Sequence, residues 1–198
     1  MSSRIRFATA RNVFGAFEDL RHVAAPPGDD AAPLDYARQL LASPRPIEAV
    51  AFLAYLLPRR EAVWWARQCV GALLGPRADD AALHAAEAWV RAPEEENRGA
   101  ALAIGGAGDQ ASPTTWLALA AAWSGGSMCA PDVKPMTAPI SACAKAVNAA
   151  IVMAACAGDP HGIGARIAAC VEAGIRFADG GDARPQFEPS AAPSARKG

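Results

Sequence analysis

The side chains of this chain that could do chemistry are few, and most stand apart from one another. Ser127 sits in Gly-Gly-Ser-Met-Cys, residues 125–129, a pattern close to the strained turn that exposes a nucleophilic serine. That turn needs a glycine where Cys129 stands and a strand leading into it. Cys129 shares the loop and is the one cysteine the pattern places within reach of solvent. A reactive thiol also needs a base or cation that favours the thiolate, and the sequence names none. Ser127, Met128 and Cys129 are therefore the candidate loop site, with acyl transfer or thiol chemistry as the activity it would serve. Gly105, Gly106 and Gly108 superficially resemble a phosphate loop, but no strand precedes them and no Lys-Ser/Thr follows, so they are expected to end a helix. His22, His84 and His161 have no second ligand at helical spacing, and the five cysteines form no Cys-x-x-Cys pair. Cys143, Cys156 and Cys170 lie among small apolar residues and are expected to fill the core. Asp179 and Asp182 bracket glycines without the other oxygen ligands of a calcium loop and read as a helix stop. Neither a metal nor a cofactor is expected.

A different kind of chemistry is concentrated in Pro58 to Val70, Pro-Arg-Arg-Glu-Ala-Val-Trp-Trp-Ala-Arg-Gln-Cys-Val. Projected at about 100° per residue, Val63, Ala66, Val70, Leu73 and Leu74 gather as a core stripe with Trp65 on its flank. Trp64 falls opposite, among Arg60, Glu61, Arg67 and Gln68. An indole on a polar face needs a cover. Either another part of the chain supplies it, with an arginine stacked on the ring, or a partner does, since Trp and Arg are the residues most enriched at binding hot spots. Arg60, Trp64, Arg67 and Gln68 are the candidate partner-binding residues.

The elements that must position these residues read as helices. Thr9 caps a first helix carrying Val13, Phe14, Phe17 and Leu20, after an alternating arm from Arg4 to Phe7. Helices follow from Pro33 to Ala42, Pro46 to Leu57 and Pro58 to Leu74, the last stopped by Gly75 and Pro76. Asp79 is expected to cap a helix through Leu83, Ala86, Trp89 and Val90. Pro93 and the glutamates after it open another, where the carboxylates face the positive end of the helix dipole and are structural. Ser112 and Pro113 start a helix with the stripe Trp116, Leu119, Ala120 and Trp123. After the irregular segment to Pro139 come two apolar helices, Ile140 to Ala157 and Pro160 to Ala178, the second capped by Asp159. This predicts an all-α fold of about eight short helices packed as hairpins, as a bundle or short solenoid. The divisions expected are an arm over residues 1–8, one helical domain over 9–179 and a disordered tail over 180–198.

Composition narrows the function. Alanine supplies much of the 52% hydrophobic content and favours closely packed helices over a sheet. The 19 Lys and Arg against 20 Asp and Glu give a net charge of −1, which provides no broad basic field for nucleic acid. The first residues do not form a signal peptide, and the apolar stretches are interrupted or alanine-dominated, so no membrane span is expected and the cytoplasm is the expected compartment.

Over roughly Ser43 to Ala178 the sequence resembles a family of small, uncharacterised helical proteins of proteobacteria. The residues that carry the likeness are Arg59 to Trp65 (Arg-Arg-Glu-Ala-Val-Trp-Trp), the segment around Trp89 to Arg98, and Gly125, Gly126 and Ser127. Members often continue from Gly-Gly-Ser into Pro-Pro, whereas this chain has Cys129 and a single Pro131. Some members look to be encoded beside type VI secretion genes, which implies an accessory or adaptor role. The expectation is a non-enzymatic protein that binds a protein partner, such as a secretion-system component. An enzyme using the Ser127 to Cys129 loop, or a binder of a small apolar ligand between helices, is the alternative.

Overall fold

The computed structural model describes residues 3–75, 80–129 and 133–187. Among them are nine α-helices and no extended strand, in agreement with the all-α expectation. They are α1 (Ala10–Ala16), α2 (Pro33–Leu41), α3 (Ile47–Leu56), α4 (Arg59–Leu74), α5 (Ala81–Arg91), α6 (Glu95–Ala107), α7 (Pro113–Ala122), α8 (Ala142–Cys156) and α9 (Ile163–Ala178). No helix among the described residues is long and apolar enough to cross a membrane.

Several boundaries follow the capping chemistry. Thr9 and Asn12 form a reciprocal capping box at α1. That helix is shorter than expected, because the chain leaves helical geometry at Phe17 and continues as a 3₁₀ turn over Glu18–His22. The cap of α5 is Asp80, whose carboxylate accepts from the Ala82 N–H; Asp79 and Pro76 lie outside the described residues. Pro93 precedes α6 rather than opening it, and Glu94 is the cap. Asp159 caps a 3₁₀ turn, Pro160–Gly162, from which α9 continues.

The glycines near the end of α6 were expected to stop it, yet Gly105 and Gly106 lie inside it. Gly105 is buried where a Cβ would come within 2.9 Å of the Leu119 side chain on α7, and at Gly108 a Cβ would meet Thr115 at 2.5 Å. Small residues here let two helices approach closely. α7 is buried almost all round, so Leu117, Ala118 and Ala121 are core as well as Leu119 and Ala120. Trp116 and Trp123 are its half-exposed edge, with rings edge-to-face at 6.3 Å.

α8 packs against α3, α4, α7 and α9 and forms the centre of the molecule. On α4 the buried residues are Ala62, Val63, Trp65, Ala66, Cys69 and Val70, while Leu73 and Leu74 are only half-buried. The stripe is thus rotated toward Trp65 and Cys69, because α8 and α9 pack on that side. Cys69, Cys143 and Cys170 are buried, but Cys156 is exposed at the end of α8 rather than in the core. Residues 180–187 carry no helix, yet Ala183 and Pro185 are buried against the domain; 188–198 lie outside the described residues.

Candidate functional site

The two tryptophans of α4 have opposite fates. Trp65 is 0% exposed, and its indole N–H donates to the Cys170 carbonyl at 2.9 Å. The room for it comes from Gly174 of α9, where a Cβ would stand 2.8 Å from the indole. Trp64 is half-buried at the edge of the core. It lines a cleft of about 440 Å³ with Arg4, Arg60, Glu61, Val90, Arg91 and Phe177.

That cleft lies where α5 and α9 end, and helix ends leave carbonyls without intrahelical partners. Arginines take them. Arg60 donates from Nε to the Val90 carbonyl at 2.7 Å and from Nη2 to the Arg91 carbonyl at 3.4 Å. The arm reaches α9 through Arg4, whose backbone N–H bonds the Ala178 carbonyl at 2.9 Å. The Arg4 guanidinium donates to the Phe177 carbonyl and lies 4.1 Å from the centre of the Phe177 ring. Cations at helix C-termini also meet the negative end of the dipole. Arg91 is held by Glu87, from Nε at 3.1 Å and Nη2 at 2.6 Å. Arg59 points elsewhere, bonding the Ser124 and Ile140 carbonyls and tying α4 to the loop before α8.

Of the four residues expected at a partner surface, the structure brings together Arg60 and Trp64. Arg67 instead pairs with Glu87 at 2.6 Å, and neither it nor Gln68 lines the cleft. Arg4, Arg91 and Phe177 were missed. They are distant in sequence and meet only because two helices end together.

The loop site is built around Arg98, which is 7% exposed. Its guanidinium makes a two-pronged pair with Glu95 at 2.6 and 2.5 Å and donates to the Ala122 and Ser127 carbonyls at 2.9 and 3.0 Å. Hydrogen bonding from Arg98 holds the Glu95 carboxyl below its ordinary range. Gly126 has φ +63, and a Cβ there would lie 2.9 Å from Arg98 Nε. Only glycine suits that position, since the guanidinium is fixed by four hydrogen bonds.

The Ser127 hydroxyl accepts from the Cys129 N–H at 3.0 Å and the Met136 N–H at 3.3 Å. Met128 N–H bonds the Met136 carbonyl at 2.8 Å, so the segment folds back on itself. Ser127, Met128 and Cys129 do lie together, on a groove of about 590 Å³ beside Leu102, Ala103 and Ala107 of α6. Among the other thiols, burial pushes Cys143 up to about 12, which keeps it protonated. No group of three or more His, Cys, Asp or Glu able to hold a metal occurs among the described residues. Asp182 is used in a turn, accepting from the Arg184 N–H.

The fold and its cleft define an all-α protein whose charged motif residues tie helix ends together around a half-buried Trp64. Residues 36–178 match the model of the family of unknown function DUF6931, and the chain belongs to that family. No curated protein and no solved structure matches it.

Proposed function

We propose that this chain is a helical adaptor that works in the cytoplasm by contact rather than catalysis, seating a protein partner on the Trp64 cleft. One observation carries the reading: an indole opposite the buried face of α4 stays half-exposed between arginines that backbone carbonyls and Glu87 already hold in place. Preorganised Trp and Arg side chains are the usual anchors of protein interfaces. The resemblance of Arg59 to Trp65 to a family some of whose members look to be encoded beside type VI secretion genes is what suggests an accessory place in such an apparatus.

Capture from the native cell with wild type and Trp64→Ala, followed by titration of the purified partner, tests this. Trp64→Ala should weaken binding by about 2 kcal/mol or more. Equal affinity for the two proteins would overturn the assignment. The loop is not favoured as a catalytic centre, because the Ser127 hydroxyl is engaged by the turn it closes. Its apolar groove does favour a second reading, a site for a small apolar ligand. An environment-sensitive dye that binds wild type but not Leu102→Arg would support that reading.

A further inference from the structure

Three arginines, Arg4, Arg60 and Arg91, line the cleft against one acidic residue, Glu61, and two aromatic rings, Trp64 and Phe177, complete it. A guanidinium carries five N–H donors. Two bonds to carbonyls hold Arg60 and two to Glu87 hold Arg91, so each keeps donors for an incoming carboxylate. Fixing these side chains beforehand lowers the entropy lost when a ligand arrives. In a chain of net charge −1 the cleft is lined by more arginine than acid. A nucleic acid needs a longer basic track along its phosphates, whereas a short peptide needs only a local one.

We propose that the occupant of the cleft is an acidic peptide segment of the partner, with an apolar or aromatic side chain set against Trp64 and Phe177 and flanking carboxylates on Arg60 and Arg91. This rests on the protein-binding reading above and adds the chemistry of the segment recognised.

The test is selection from a random displayed peptide library on the folded full chain, followed by fluorescence anisotropy with the individual peptides recovered. The expected peptides are acidic around an aromatic or large aliphatic residue, and their affinity falls as salt is raised. Trp64→Ala should weaken them about thirty-fold and Arg91→Gln about tenfold. In the second variant Glu87 keeps its partner Arg67, so the fold is not at issue. Arg38→Gln, which removes an exposed pair with Asp35 on α2, should change nothing. Peptides that need Trp64 but are neutral or basic would overturn the acidic assignment and leave the protein-binding reading standing. Recovery of no peptide sensitive to Trp64 or Arg91 would overturn both.

Discussion

The Trp64 cleft and the Arg98 loop are both built from arginines that bond backbone carbonyls, yet they end in opposite states. In the loop, Arg98 makes four hydrogen bonds, Ser127 receives two N–H groups, and Gly126 lets the chain press against the guanidinium. The polar groups there satisfy one another and fix a turn. In the cleft, Arg60 and Arg91 are anchored but keep donors that bond nothing among the described residues, and the ring beside them is half-exposed. The same residue type thus serves as scaffold where it is buried and as surface where helix ends leave it in the open.

Three substitutions break or sharpen that contrast. Trp65→Ala has the largest expected effect, about 3–5 kcal/mol of stability, because it empties a site enclosed by α9 and removes the indole bond to the Cys170 carbonyl. A urea denaturation midpoint close to wild type would show that α4 is not anchored there. Next comes Gly126→Ala. A side chain at φ +63 with a Cβ 2.9 Å from Arg98 should cost about 1–3 kcal/mol, and a double variant with Arg98→Ala that loses less than the sum of the two single losses would identify the clash as part of that cost. Thermal melts of the single and double variants measure both.

The smallest effect is a pH dependence. Glu95 titrates below its ordinary value because Arg98 bonds its carboxylate, so its folded value lies under its unfolded one. The stabilisation is present above the unfolded value and is lost as pH falls through the folded one. The difference in midpoint between wild type and Glu95→Gln should therefore narrow as the solution is acidified. A difference independent of pH would mean that the pair contributes nothing to the loop.

Helix existence was legible from proline, glycine and apolar spacing, since those signals act within a turn or two of the chain. The unusual position of Trp64 was legible too, because the projection of α4 needs only the local sequence. What the projection missed was tertiary. The buried arc centres nearer Trp65 and Cys69 because α8 and α9 pack there, and Gly174, inside an apolar helix, makes the space. Gly108 does close α6, but Gly105 looked like a helix stop too, because a glycine that ends a helix and one that admits a neighbour are identical in sequence; Leu119 decides between them. Arg98 carried one local hint, Glu95 three residues before it. Nothing local connects it to Gly126 or Ser127. Arg4, Arg91 and Phe177 could not be grouped with Trp64 until the ends of α5 and α9 were seen together.

The most direct measurement is the chemical denaturation midpoint of Trp64→Ala beside Trp65→Ala. If Trp64 faces a partner, its truncation costs about 1 kcal/mol or less in the isolated chain, the scale of a partly exposed position, while Trp65→Ala costs several times more. A loss at Trp64 of about 3–5 kcal/mol, equal to that at its neighbour, would make both indoles core residues and contradict the account.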